Sequence, residues 1–338
     1  MLETGAFGSA NPGQVVDGRY KTVGIVGRGG MSEVVHCVDL ETGDHVALKG
    51  LAGSYRSSED HRRRLRREAD IAAAINHPNV AQILRVGNTP EGDPYLVMEL
   101  LVGETLADLI AREGALTPAR ALPLVRQAAA GLDAMHSQGI IHRDVKPNNL
   151  FLCGPLGEPN CLKLFDFGFA RHRRRKLSQG QVLGTLEYMA PEQVVSEPAD
   201  VRSDIYSLGM VMYRCLTREL PFDHASQKDM LAHQLISAPP PPSWLISGLD
   251  PRIETVILTA IRKNPANRYG AMSELLLDID RVLSGEAVTG APLVQEPDRY
   301  EPQTDLGQRA LRIFTRRQDP NYNSTAPPPV RRWGTGQS

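Results

Sequence analysis

Near residue 100 the period of the hydrophobic pattern changes, and that change constrains the fold more than any other feature. Upstream, the runs RYKTVGIVG, EVVHCVDL and HVALKGL are rich in β-branched residues. They are joined by Gly-Arg-Gly-Gly and by Glu41-Thr42-Gly43-Asp44, so an antiparallel meander is predicted from Arg19 onward. A polar, basic helix is predicted over 57–76, with Leu65, Ala69, Ala72 and Ile75 at helical spacing. The strand-like runs QILRVG and PYLVMELL then close a small β-rich lobe. Downstream, apolar residues recur at helical spacing over 119–137, 203–216, 253–261 and 272–283, the second stretch being apolar nearly all round and therefore buried. Pro239–Pro242 is predicted to be a surface loop, because neither a helix interior nor a central strand accepts such a run. The predicted class is α+β, with a β-rich lobe over 19–100 and a mainly helical lobe over 101–284.

The 338 residues are enough for two packed lobes and a remainder. Residues 1–18, rich in Gly, Ala and Pro, are predicted to be a disordered N-terminus, and the Pro- and Arg-rich stretch 285–338 a flexible tail. No apolar run approaches the roughly 18 residues needed to cross a bilayer, and MLETGAFGSA lacks the layout of a secretory signal. A soluble, cytoplasmic chain is the expectation. Cys37, Cys153, Cys161 and Cys215 are too few and too scattered for a disulfide framework or a zinc cluster. Cys153 and Cys161 flank a short Gly/Pro-rich connection and can approach across a hairpin, although a reducing compartment argues against a bond there.

The formal charge of -1 argues against a generic nucleic-acid binder, yet it hides local excesses. Residues 56–67 hold six arginines against Glu59 and Asp60, and residues 171–176 hold five basic side chains.

Two constellations carry chemistry. In the first, Gly27-x-Gly29-Gly30-x-Ser32-x-Val34 occupies the turn between two predicted strands, where glycines let backbone N–H groups approach a polyphosphate. Alone it reads more readily as a flexible hairpin. In Val46-Ala47-Leu48-Lys49 the alternation puts Ala47 and Lys49 on one face, toward the glycines, so Lys49 becomes a candidate phosphate ligand. Glu68 on the following predicted helix is its candidate ion-pair partner. The second constellation is His142-Arg143-Asp144-Val145-Lys146-Pro147-Asn148-Asn149, followed by Asp166-Phe167-Gly168.

With these two strings in order, and with Ala190-Pro191-Glu192 downstream, residues 19–284 resemble the eukaryotic-like protein kinases, above all the bacterial Ser/Thr branch. The resemblance implies the bilobal protein kinase fold and transfer of the γ-phosphate of ATP to Ser/Thr hydroxyls of proteins, with Mg²⁺ as cofactor and Mn²⁺ as an alternative. It implies that Asp144 orients and accepts the hydroxyl proton, with Lys146 beside it, and that Asn149 and Asp166 bind the metal. Lys49, paired with Glu68, holds the α- and β-phosphates. Val26, Gly27, Gly29 and Gly30 cover the nucleotide, while Val34, Ala47 and Phe151 sandwich the adenine. Met98 is the gatekeeper, and Glu99 to Leu101 form the hinge. Glu192 and Arg268 match the family's buried ion pair, and Asp204 the acid that opens the central helix. Ser32 replaces a common third glycine, and Leu186 after Thr185 suggests an unusual substrate pocket.

Arg143 before the catalytic Asp matches kinases whose activation loop is ordered by phosphate, with Ser178 and Thr185 as the candidate acceptors and self-association as the route to autophosphorylation. A catalytically weak scaffold or signalling adaptor on the same fold is the second reading. That reading predicts loss of at least one of Lys49, Asp144, Asn149 or Asp166, and all four are present. The segment around Arg309, Arg312, Arg316 and Arg317 is predicted to be a linker rather than a partner-binding helix.

Overall fold

A computed structural model describes residues 7, 11–28, 32–51, 59, 63, 73, 75–89, 91–154, 161–166, 183–222, 226–290 and 299–315. Two compact units emerge. The first holds the strands together with residues 130–142 and 147–173; the second holds residues 110–129 and 143–146 and the helices from Pro191 onward.

In the first unit, β1 (Val15–Val16), β2 (Tyr20–Arg28), β3 (Ser32–Asp39), β4 (His45–Leu51), β5 (Ile83–Asn88) and β6 (Pro94–Glu99) form an antiparallel sheet of order β1-β2-β3-β4-β6-β5. The alternation along β3 divides the sheet cleanly: Glu33, Val35, Cys37 and Asp39 are buried, whereas Ser32, Val34, His36 and Val38 are partly open. Val35, Cys37, Val46, Leu48, Tyr95 and Val97 build one apolar cluster with Phe7, Val16 and Tyr20. Phe7 and residues 11–18, the described part of the chain before Arg19, therefore differ from the disorder expected of them. Gly13 N–H donates to Thr22 O (2.8 Å), Thr22 N–H to Gln14 O (2.8 Å) and the Tyr95 hydroxyl to Asp17 Oδ2 (2.6 Å). Phe7 meets Tyr95 edge-on at 5.9 Å, an arrangement worth about 0.5–1.5 kcal/mol beyond the area it buries. Glycines that suggest disorder by composition here turn the chain: Gly13 and Gly18 have φ of 90° and 65°.

A second sheet has the order β7-β8-β9, from β7 (Gly103–Thr105), β8 (Leu150–Cys153) and β9 (Cys161–Leu164). Helices α1 (Leu106–Glu113) and α2 (Pro118–Ser137) lie between β7 and β8 in the chain. Gly131 of α2 is where the backbone must come close, since a Cβ there would lie 2.6 Å from Leu164 Cδ1 and 2.7 Å from Asn79 O. The stretch before β5 is tied to β9 as well: Leu164 N–H donates to Asn79 O (2.9 Å), Ala81 N–H to Leu164 O (2.8 Å) and Asn79 Nδ2 to Leu162 O (2.8 Å).

The second unit is built on α3 (Pro191–Val194), α4 (Val201–Thr217), α5 (Gln227–Ile236), α6 (Pro251–Ala260), α7 (Met272–Ser284) and α8 (Asp305–Thr315). Its centre is α4, buried at nearly every position from Ser203 to Leu216, as its apolar sequence requires. Asp200 caps it by accepting from Arg202 N–H (2.8 Å), and Arg218 ends it in a left-handed turn. α6 and α7 pack on α4. Pro239 and Pro242 are buried, with Pro242 opening a short 3₁₀ turn (Pro242–Trp244), so this loop lies against the core and is not wholly on the surface. No described helix is long and apolar enough to cross a membrane.

The stretch expected to be a flexible tail departs from that expectation over 299–315. Tyr300 is buried, its N–H donates to Leu235 O (2.9 Å), and α8 packs on α5. The anchor is Glu197, a buried carboxylate that accepts from the Tyr300 hydroxyl, from Thr304 N–H (2.7 Å) and from the Thr304 hydroxyl (2.9 Å). Asp278 clips the connection in the same way, accepting from Thr289 N–H, Gly290 N–H (2.8 Å) and the Tyr269 hydroxyl (2.9 Å). Local composition gives no sign of these distant carboxylates.

Candidate functional site

In the first unit the sheet register gathers the nucleotide candidates on one face. Gly27 stands opposite Val34, Val34 opposite Lys49 and Ala47 opposite Met98, and facing residues in an antiparallel ladder share a side. A register shift between Ile25 and Gly27 leaves Val26 outside the ladder and exposed. His36 joins this face opposite Ala47; its Nε2 lies 2.7 Å from Nδ1 of His45. Burial, and after it the neighbouring His45 ring, pushes the His36 imidazole below its ordinary pKa. Sequence reasoning passes over this pair, because neither histidine belongs to a motif. Gly29, Gly30 and Glu68 lie outside the described residues.

The Lys49 ammonium forms an ion pair with Asp166 Oδ1, across 117 residues of chain. Asp166 follows β9 with a φ of +56°, a conformation uncommon for a residue with a side chain and concentrated at functional positions. Asn149 ends the 3₁₀ turn Pro147–Asn149 that leads into β8, and its backbone oxygen accepts from Phe165 N–H (3.1 Å). The backbone bond thus joins the segments that carry Asn149 and Asp166. Their donor chemistry, one carboxylate and one amide oxygen, suits a hard divalent cation such as Mg²⁺. Phe151 packs edge-on against Phe165 at 5.8 Å.

At the expected hinge, Glu99 N–H donates to Gln82 O (3.1 Å), while the Glu99 carboxylate accepts from Gln82 N–H (2.7 Å) and from Lys163 Nζ (2.7 Å). Leu101 lies between the end of β6 and the start of β7, outside both ladders. The sequence gives no hint of Lys163, 64 residues from Glu99.

In the second unit, Lys146 Nζ donates to Asp144 Oδ2 at 3.0 Å, with both side chains largely buried. The loop is held through Arg143, whose φ is +65°. Its N–H donates to Asp204 Oδ1 (2.8 Å) and its carbonyl accepts from Gln193 Nε2 (3.2 Å). Holding a non-glycine residue in this region costs of order 1–3 kcal/mol and needs such over-determination. The fully buried Asp204 at the start of α4 supplies it.

Glu192 and Arg268 form a bidentate pair, Nη1 to Oε1 at 2.8 Å and Nη2 to Oε2 at 2.9 Å, with side-chain exposures of 5% and 0%. Arg268 also donates to the carbonyls of Arg202, Arg262 and Lys263, and Glu192 accepts from the Ser203 hydroxyl (2.6 Å). Leu186, expected to shape an unusual pocket, is itself buried, and Gln234 Nε2 holds its carbonyl at 3.0 Å. Ser178 and the basic run 171–176 lie outside the described residues; Thr185 is described only as part of the 3₁₀ backbone Leu183–Tyr188.

Comparison with known proteins matches this arrangement to a family. Residues 20–276 fit the model of the protein kinase domain. The chain is 39% identical over 288 residues to the serine/threonine-protein kinase PknB of Mycobacterium tuberculosis, covering 83% of this chain and 45% of that protein. It is 36% identical over 331 residues to PknB of Mycolicibacterium smegmatis, covering 95% and 52%. The chain thus spans about half the length of the curated relatives it matches. Among solved structures, the M. tuberculosis PknI kinase domain superposes with a TM-score of 0.63 at 26% identity, covering 80% of this chain and 98% of that one. Its motifs, its α+β architecture and these matches agree: the chain belongs to the protein kinase family, and its relatives are bacterial serine/threonine-protein kinases.

Proposed function

We propose that this chain transfers the γ-phosphoryl group of ATP to Ser and Thr hydroxyls of protein substrates, with Mg²⁺ as the metal and its own Ser178 or Thr185 among the acceptors. Bound Mg²⁺-ATP supplies the electrophilic γ-phosphorus and ADP as the leaving group. Asp144 accepts the hydrogen bond, and then the proton, of the attacking hydroxyl. Lys146, 3.0 Å from that carboxylate, balances the negative charge that builds beside it. Lys49 offers its ammonium to the phosphates, and Asn149 and Asp166 are the oxygen donors for the metal. Val26, Gly27, Val34, Ala47, Met98 and Phe151 accept the base and sugar, and Leu101 N–H orients the adenine.

The observation that carries this reading is the Asp144–Lys146 pair on a loop pinned through Arg143 by Asp204 and Gln193. Phosphoryl transfer asks a protein for positioning and charge rather than covalent chemistry, and a buried, pre-oriented carboxylate beside a cation supplies both. The scaffold reading has no observation in its favour, since Lys49, Asp144, Asn149 and Asp166 all remain. The test is incubation of the full chain with γ-labelled ATP, Mg²⁺ and generic protein substrates, followed by phosphoamino-acid analysis. The expected result is label on Ser and Thr that disappears with Lys49→Ala. Label on Tyr alone, or transfer untouched by Lys49→Ala, refutes the assignment.

A further inference from the structure

The hairpin of β8 and β9 sets two free thiols opposite each other. Its register pairs Leu152 with Leu162 and Cys153 with Cys161. Leu152 and Leu162 are fully buried, so the two cysteines share the other face of the hairpin with Phe151 and Lys163. Cys161 is exposed and Cys153 half-buried, whereas Cys37 and Cys215 are buried in the cores of their own units. Facing residues in an antiparallel ladder have Cα atoms about 4.5 or 5.5 Å apart. Both spacings fall within the roughly 4.4–6.8 Å that a disulfide spans. We propose that Cys153 and Cys161 form an oxidisable dithiol site that closes reversibly to a cross-strand disulfide when the protein meets a peroxide.

The exposed Cys161 thiolate attacks one peroxide oxygen and the O–O bond breaks, leaving a sulfenic acid on Cys161. The departing hydroxide, with the proton first lost by that thiol, leaves as water. Cys153 sulfur then attacks Cys161 sulfur: the S–S bond forms, the S–OH bond breaks, and the second hydroxide leaves as water with the Cys153 proton. The two thiols give up two electrons and the peroxide takes them. Burial, and after it the neighbouring Cys161, pushes the Cys153 thiol up to about 11, so the exposed Cys161 is the sulfur that meets the oxidant first, and Cys153 enters because the register holds it opposite.

The bridge would act where the hairpin meets the hinge. Cys153 faces Gly103 of β7, the next residue's N–H donates to Val102 O (3.2 Å), and Lys163, two residues beyond Cys161, holds Glu99. Asn149 and Asp166 flank the same hairpin. A covalent link at its loop end, beside Gly103 and Val102 and at the opposite end from Asn149 and Asp166, fixes the twist of three short strands and so shifts the Leu101 backbone. The dithiol chemistry stands independently of the kinase assignment; only its effect on nucleotide rests on that reading.

The experiment treats the full chain with stoichiometric hydrogen peroxide, alkylates the remaining thiols after denaturation, and maps unreduced peptides by mass spectrometry. Affinity for an ATP analogue with Mg²⁺ is measured by calorimetry before oxidation, after it, and after dithiothreitol. One intramolecular Cys153–Cys161 link, a loss of two hydrogens, full alkylation of Cys37 and Cys215 and reversal by dithiothreitol are expected. A shift in affinity should appear in the oxidised wild type and be absent from Cys161→Ser. Over-oxidised Cys161 without a link, or links between chains, overturns the site. A link with unchanged affinity overturns its coupling to nucleotide. A link in a chain that binds no nucleotide in either form supports the dithiol site and counts against the kinase reading.

Discussion

Arg268→Ala tests the packing logic of the helical unit most severely. The arginine spends its donors on both Glu192 oxygens and on the carbonyls of Arg202, Arg262 and Lys263, at 2.7–2.9 Å. Alanine removes all of them, and the Glu192 carboxylate, 5% exposed, keeps the Ser203 hydroxyl as its side-chain donor. Losing one partner of a buried ion pair costs about 3–5 kcal/mol, and at about 2–4 °C per kcal/mol for a fold of this size the melting temperature should fall by roughly 6–20 °C. Calorimetric melting of wild type, Arg268→Ala, Glu192→Gln and the double variant gives both the loss and the coupling between the two residues. The double variant should lie well above the sum of the singles, because removing both charges leaves neither stranded. An Arg268→Ala protein within about 1 kcal/mol of wild type, the range of a surface ion pair, would refute the claim that this pair is buried and fully committed.

Further predictions follow from single contacts. Gly131→Ala should destabilise even though alanine is the better helix former by about 1 kcal/mol: the new Cβ meets Asn79 O at 2.7 Å, and overpacking of this kind costs about 1–3 kcal/mol. A stabilised variant in urea unfolding would show that the helix does not sit against that carbonyl. Glu197→Ala should release the segment 299–315 and speed hydrogen exchange at Tyr300 and along α8; unchanged protection there would mean that the Glu197 bonds do not hold it. The Arg19 guanidinium, bonded to Asp39 at 2.9 and 2.6 Å, holds that carboxylate below its ordinary pKa. The folded chain then binds fewer protons here than the unfolded one, so this contribution is full above about pH 4, the ordinary Asp value, and is lost as pH falls through the folded pKa. Urea unfolding across that range should show a shallower acid loss for Arg19→Gln, and an identical profile would contradict the assignment.

Local periodicity made much of the architecture legible. The strands from β2 to β6 and the helices α2, α4, α6 and α7 fall within a few residues of their predicted spans, because each carries its own apolar alternation or stripe. The Glu192–Arg268 pair and the Asp204 anchor were legible through motif resemblance alone. What neither local pattern nor motif disclosed are particular bonds between other residues far apart in the chain. Lys49 with Asp166, Glu99 with Lys163 and Glu197 with Tyr300 are separated by 117, 64 and 103 residues, and nothing in either local composition points to the other. The same cause explains the two segments expected to be disordered. Neither 11–18 nor 299–315 could bury enough apolar surface alone, but each borrows hydrogen bonds and contacts from an element that is already folded: Thr22 and Tyr95 for the first, Glu197 and α5 for the second.

The central claim is the proposed action of Asp144 on the attacking hydroxyl. Single-turnover transfer from γ-labelled ATP, with ATP affinity measured alongside on wild type and Asp144→Asn, tests it most directly. A positioned general base contributes about 10²–10⁴-fold, so the rate should fall by that factor while nucleotide affinity stays within about threefold of wild type. An Asp144→Asn protein that transfers phosphate at the wild-type rate, or one that loses nucleotide binding in proportion to its rate, would contradict the role given to Asp144.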